Sequence, residues 1–178
     1  MTLNFEQIIS FWLILGLITF LTLLKIPAPY GKFSKNSWGP MISSRLGWFV
    51  MEIISPIALI YFFCLNAQKI NEPVLIFLSL WTIHYINRSI IYPLRQNNPA
   101  KMPLLIAVLA FLFNIMNGFI NGTYLGLSDI YDSNYLFEWN FIGGIILFLI
   151  GAIINIKSDN ILLKLRTKTG EYKICLLY

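Results

Sequence analysis

The amino-acid sequence predicts an all-α, polytopic membrane bundle of about five transmembrane helices. Three observations predict it. The 178 residues are 57% hydrophobic and 12% charged, whereas a soluble domain carries roughly 25% charged residues. Mean hydropathy is +0.70, so lipid must solvate much of the surface. Five long apolar stretches also alternate with polar connections, and an excess of positive charge appears after every second one.

The first stretch, Phe5 to Ile26, would extend about 33 Å as a helix, enough to cross a hydrocarbon core. It lacks a basic leading region, carries Glu6, and runs into Lys25 and prolines rather than a small-residue cleavage site. It therefore reads as a retained helix, not a signal peptide. Pro27 and Pro29 end it and open a loop to Ser44. Leu46 to Asn66 is the second span, interrupted by Glu52 and Pro56. Val74 to Leu94 is the third and holds His84, Arg88 and Pro93. Pro103 to Leu127 is the fourth, with Asn114, Asn117 and Asn121 forming a polar stripe at helical spacing. Asn140 to Ile156 is the fifth, opened by the flexible Gly143-Gly144 pair. Residues 1–178 read as a single membrane domain without repeats.

Charge orients the spans. Lys32, Lys35 and Arg45 follow span one, and Lys69 is balanced by Glu72 after span two. Arg95 and Lys101 follow span three, whereas Asp129, Asp132 and Glu138 follow span four. Lys157, Lys164, Arg166, Lys168 and Lys173 follow span five. The positive-inside rule then places the amino terminus outside and the tail in the cytoplasm. Basic residues are not interleaved with exposed aromatics in a nucleic-acid-binding pattern, so no nucleic-acid partner is expected, and no protein partner is predicted. Cys64 and Cys175 do not suggest a disulfide framework, and a lone histidine without a cysteine or carboxylate cluster does not suggest a metal site.

An ionised side chain near the centre of a span costs roughly 2.5–3.5 kcal/mol on insertion scales, so Glu52, His84 and Arg88 need partners or a wet cavity. His84 and Arg88 are four apart and share a face with Tyr85 and Tyr92 beside it, and Glu52 could meet that face across a helix contact. The plainer alternative is that Glu52 and Arg88 only pair to hold helices together. The asparagine stripe either bonds a neighbouring helix or lines a cavity. Ile154 to Arg166 places Asn155 and Asp159 on one helical face, with a surface amphipathic helix as the alternative. No GxGxxG or Walker-type loop occurs, so a nucleotide would be held by the bundle or its cytoplasmic loops.

In order and spacing these pieces resemble the steroid 5-alpha-reductase family. Ala28 to Phe33 (APYGKF) resembles its PYG-basic-aromatic motif, and Trp48 to Pro56 (WFVMEIISP) the segment with a Gln-Glu pair before a Pro-Ser. Ile83 to Leu94 (IHYINRSIIYPL) resembles its histidine-tyrosine-x-x-arginine helix. Met116 to Gly122 (MNGFING) and INIKSDNILLKLR followed by EYKI resemble later blocks. The APYGKF loop favours this branch over the related enoyl-CoA reductases.

The resemblance implies NADPH-dependent reduction of a carbon–carbon double bond conjugated to a carbonyl in a lipid-soluble, steroid-like substrate within the membrane. It implies that Glu52 and Tyr85 hydrogen-bond the substrate carbonyl, for which Glu52 needs to carry or share a proton. It assigns Asn155, Asp159, Arg166, Tyr172, Tyr92 and Tyr30 to the cofactor, and charge alone would let Arg95 and Lys101 attract its phosphates. Two departures stand out. Met51 replaces the family's glutamine, and Glu52-Ile53-Ile54-Ser55-Pro56 replaces its Glu-x-Pro-Ser order. The chain also ends at Tyr172 to Tyr178 (YKICLLY), where the family continues with a GGLF-like turn and two more helices. It therefore reads as the front part of a seven-helix reductase fold, truncated at the carboxy terminus, with little turnover expected of the piece alone. The alternatives are a polyprenol or enoyl-thioester reductase, an isoprenylcysteine-type methyltransferase, or a non-catalytic membrane remnant.

Overall fold

The computed structural model describes residues 4–29, 33, 36–97 and 99–169, with side chains as far as residue 164. Five helices are long and apolar enough to cross a membrane, and most of their large apolar side chains face outward. In water such a surface would aggregate; in lipid it is the matching solvent. The protein is thus a polytopic helical membrane bundle, as its composition predicts.

Helix α1 (Phe5–Leu23) starts at a capping box: Gln7 N donates to Asn4 Oδ1 at 2.8 Å, and Asn4 N to Gln7 Oε1 at 3.0 Å. It buries no residue and meets the bundle through Trp12 on Phe113 and Phe5 on Phe119, at ring-centroid distances of 5.5 and 6.0 Å. The next connection includes a short 3-10 turn (Asn36–Trp38) and Gly39 at φ 99°, a left-handed conformation that only glycine adopts freely. The turn directs the chain into strand β1 (Met41–Ser43), which pairs antiparallel with β2 (Lys101–Pro103), Ile42 opposite Met102.

Helix α2 (Ser44–Asn66) runs unbroken through Pro56. Proline has no N–H for the carbonyl of Glu52 four residues back. One residue earlier, Asn114 Nδ2 donates to Met51 O at 2.6 Å, so a neighbouring helix secures this turn. Helix α3 (Glu72–Leu94) is capped by Asn71, whose side chain accepts from Val74 N at 3.3 Å, and has Pro73 in its first turn. Its ladder switches to one π-turn at Asn87–Ile91 before a last α-turn at Tyr92–Leu94. Ser89, fully buried, donates through Oγ to Tyr85 O at 2.6 Å, supplying a partner where the π-turn shifts the ladder.

Helix α4 (Leu104–Leu127) packs most closely on α2. Gly118, Gly122 and Gly126 lie directly against Ala58, Leu59, Phe63 and Asn66, so the two backbones approach as glycine alone permits. A small core of Met51, Met102 and Ala107 closes the end of this seam beside the strands. A 3-10 turn (Ser133–Phe137) then rests on Asp132, whose carboxylate accepts from Asn134 N and Tyr135 N, and Ser133 Oγ donates to Glu72 at 2.7 Å.

Helix α5 (Trp139–Thr169) is longer than the span expected to end at Ile156. No proline or glycine lies between Ala152 and Thr169, so nothing stops the helix where polarity rises. The Gly143-Gly144 pair expected to flex lies within regular helix.

One end of the bundle collects Arg45, Arg95, Lys101 and Lys164. There Ser44 N donates to Ala100 O at 2.7 Å and Leu104 N to Pro40 O at 2.8 Å. The opposite end carries Glu72, Asp129, Asp132 and Glu138, and Gln68 N donates there to Gly126 O at 3.4 Å.

Candidate active site

Arg88 is the hub. It projects from α3 at the π-turn and faces two other helices. Its Nη2 lies 3.7 Å from Glu52 Oε1 on α2, and its Nη1 lies 3.4 Å from Asp159 Oδ2 on α5. All three side chains are largely buried, at 15%, 14% and 9% exposure. The guanidinium also sits 4.3 Å from the centroid of the Trp48 ring and 5.4 Å from that of Tyr92, so aromatic faces supply further stabilisation for the cation. One guanidinium thus stands between two carboxyls. If both were ionised, a net negative charge would be left in a poorly solvated centre, a costly arrangement.

Tyr85 lies one turn before Arg88 on the same face. Its hydroxyl is 3.4 Å from Asn114 Oδ1, while the amide nitrogen of Asn114 is committed to Met51 O. Ser55, Glu52 and Asn117 also surround the phenol. The ring stacks on Trp81 at 5.4 Å, and Trp81 Nε1 in turn donates to Ser55 Oγ at 3.1 Å. Tyr85 is therefore oriented by α2, by α4 and by its own helix. His84 packs edge-on against Tyr85 and Phe148 at 5.3 and 6.3 Å, which fixes the imidazole beside the phenol.

Of the residues expected at a cofactor, Asp159 is held by Arg88, and Tyr92 is buried in edge contact with Trp48 at 5.7 Å. Asn155 lies one turn before Asp159 on α5, and its Oδ1 is buried without a hydrogen-bond partner among the described residues. Tyr30 and Tyr172 lie outside the described residues; Arg166 lies on α5, beyond the described side chains. At the basic end Arg95 Nη2 donates to Asn160 Oδ1 at 2.5 Å, beside a polar cavity of about 450 Å³ that Asn97 and Lys164 also line. Lys101 sits on β2, exposed. Toward the acidic end an apolar chamber of about 390 Å³ opens beyond Trp81, between α2, α3, α4 and α5.

The asparagine stripe divides in its roles. Asn114 bonds α2, whereas Asn121 Nδ2 donates back to Asn117 O and Oδ1 at 2.8 and 3.0 Å and also lines the chamber. Sequence reasoning missed Trp48, Ser55 and Trp81. The four-residue spacing of Trp81 and Tyr85 was the available signal.

The fold and this centre define a class: a multi-span membrane protein with a charged cluster sequestered between its helices. Comparison with known proteins makes it specific. A family model described as 3-oxo-5-alpha-steroid 4-dehydrogenase matches residues 100–178. The chain is 38% identical over 157 residues to steroid 5-alpha-reductase DET2 of Arabidopsis thaliana, covering 84% of this chain and 60% of that protein. It is 34% identical over 174 residues to the Solanum lycopersicum protein of the same name, covering 96% and 68%. It is also 34% identical over 167 residues to 3-oxo-5-alpha-steroid 4-dehydrogenase 1 of Bos taurus, covering 90% and 64%. The chain belongs to the steroid 5-alpha-reductase family. It spans 60% to 68% of the length of these three relatives.

Proposed function

We propose that the chain serves NADPH-dependent reduction of a carbon–carbon double bond conjugated to a carbonyl in a steroid-like lipid. The observation that carries this reading is the convergence of Glu52, from α2, and Tyr85, from α3, on one buried centre with Arg88 beside them. The names of the relatives support the reaction class and the substrate class.

Reduction of an enone at its β carbon drives negative charge onto the carbonyl oxygen. The chain's task is to hold donors where that charge grows, in a site with little water to reorganise. We assign the role to the Tyr85 hydroxyl and to a protonated Glu52. Charge balance suits this: Arg88 neutralises Asp159, and Glu52 keeps its proton. Asn114 and Trp81 hold the phenol, and Ser55 is fixed by the indole N–H. The second hydrogen arrives as a proton at the α carbon.

The residues present fit a dinucleotide. The unpartnered Asn155 Oδ1 is a buried acceptor suited to a carboxamide, and the polar cavity at Arg95, Asn97, Asn160 and Lys164 suits phosphates. Asn155, Asp159 and Tyr92 would hold the cofactor, with Tyr30, Arg166 and Tyr172 as further candidates. When bound, NADPH supplies the hydride; the chain contributes placement and electrostatics. Access for the cofactor sets the orientation: the basic end faces the cytoplasm, and the amino terminus lies outside.

The test is a reductase assay on membranes carrying the chain completed at its carboxy terminus, with NADPH and, in parallel, a 3-oxo-4-ene steroid, a polyprenol and an enoyl-CoA. Turnover of the steroid is expected. Glu52→Leu and Tyr85→Phe should each lower kcat on the order of 100-fold, the cost of removing one donor from a developing oxyanion, while NADPH binding persists. Unchanged turnover in both variants removes the assignment. A loss of folded yield alone would leave Glu52 as a helix-pairing residue.

A further inference from the structure

We propose that the apolar chamber beyond Trp81 seats the end of the substrate remote from its reacting carbonyl, and that Asn121 with the Tyr124–Tyr131 pair recognises a hydroxyl there. The inference rests on the enone-reductase reading above and extends it to a specificity determinant.

The chamber is walled by Leu59, Trp81 and Phe148 from three helices, and its volume of about 390 Å³ falls in the range of small-molecule sites. It is neighbour to the carbonyl-binding pair, because the Trp81 indole that lines it stacks on Tyr85. The two levels can be placed along α4. Asn114 marks the Tyr85 hydroxyl and Asn121 marks the chamber, seven residues and therefore about 10.5 Å further along the axis. That separation suits a rigid fused-ring skeleton lying along the helix with one end at each level.

The polar groups at the far level are few and complementary. The Trp81 N–H is already committed to Ser55, which leaves Asn121, Tyr124 and Tyr131 as the hydrogen-bonding side chains of the lining. Asn121 spends its amide nitrogen on Asn117 within its own helix, so its Oδ1 remains to accept. The Tyr124 and Tyr131 rings meet edge to face at 6.3 Å. Burial, and then the hydrogen bond with the neighbouring Tyr124 hydroxyl, push Tyr131 up to about 12, so both phenols keep their protons and the hydrogen-bonded pair has one O–H left to donate. An acceptor and a donor side by side suit a hydroxyl, which uses both; a ketone uses only the donor, and a hydrocarbon end uses neither. A lipid acyl tail would have no use for the polar trio.

The experiment measures equilibrium binding by the detergent-solubilised chain. The probes are three 3-oxo-4-ene steroids that differ only at the ring-D end: hydroxyl, ketone, or no oxygen. The wild type should bind the hydroxyl form roughly tenfold tighter than the oxygen-free one, with the ketone between them. Asn121→Leu, which removes the acceptor and leaves the donor, should bring the hydroxyl form down to the affinity of the ketone. Tyr131→Phe, which removes a single oxygen and little volume, should narrow the preference to roughly threefold. Binding without preference in the wild type, or a preference left unchanged by both substitutions, overturns this proposal and leaves the enone reading standing. Failure of all three steroids to bind the wild type overturns both.

Discussion

Replacing Gly122 by alanine is the sharpest test of how the site is built. A Cβ at this position would lie 2.5 Å from Leu59 O, 3.0 Å from Phe63 N and 3.2 Å from Phe62 Cβ, where ordinary contact begins at 3.4 Å. Two of these neighbours are backbone atoms of α2, so no side chain can swing aside. The helices must part by about 1 Å, and forced overpacking of this kind costs about 1–3 kcal/mol. Alanine returns about 0.5–1 kcal/mol through lower backbone entropy in the unfolded chain, so a net loss of about 1–2 kcal/mol is expected. Gly144 and Gly151 on α5 are the controls: nothing lies within 4 Å of a Cβ at either, and only the gain of about 0.5–1 kcal/mol remains. Reversible unfolding in mixed micelles, titrated with a denaturing detergent and followed by circular dichroism, would read both effects. Gly122→Ala should also weaken the bond from Asn114 to Met51 O, and with it the support of Tyr85. If Gly122→Ala proves as stable as Gly144→Ala, the close α2–α4 seam is wrong.

Three further outcomes follow from the same geometry. Arg88→Met strands the Asp159 carboxylate without its cation and should cost about 3 kcal/mol in the same unfolding assay, partly recovered by adding Asp159→Asn; no recovery would mean that Asp159 does not depend on Arg88. Tyr131 keeps its proton to about 12 in the folded protein, whereas an ordinary tyrosine ionises near its usual value of 10.0. Its contribution to stability is therefore complete below that ordinary value and is lost as pH rises toward about 12; Tyr131→Phe should flatten this alkaline decline in a pH series of unfolding curves. For orientation, a cysteine introduced at Asp129 should react with an impermeant reagent added outside intact cells, and one at Lys101 only after permeabilisation; the reverse pattern would invert the proposed topology.

Much of the architecture was legible because lipid imposes a simple rule on composition. Five apolar stretches became five spans, and their ends, apart from the far end of the fifth, fell within a few residues of the expected ones. Glu52 and Arg88 were conspicuous because charge inside a span needs a partner, and the structure brings them to 3.7 Å. Asp159 as the third member was not legible as a partner of Arg88: the helical face it shares with Asn155 was readable, but which span that face meets was not. The β1–β2 pairing escaped because three-residue strands are too short to display an alternation. The α2–α4 seam carried a readable signal, glycines at 118, 122 and 126, that was overshadowed by the asparagines interleaved with them. The π-turn had no signal at all, because a ladder shift of one residue answers to the packing around it.

That single wide turn has a consequence for how the third span tolerates change. It adds one residue to the winding between Arg88, which faces the buried carboxyls, and Arg95, which reaches Asn160 at the membrane edge. Removing one residue of this turn other than Arg88 would let the segment close to uniform α-helix with its two flanks still in phase, because a wide turn takes up its extra residue locally. Both arginines could then keep their present partners, whereas the same deletion within regular helix would swing everything downstream by about 100°. The wide turn is therefore the place in the third span where a length change of one is best absorbed.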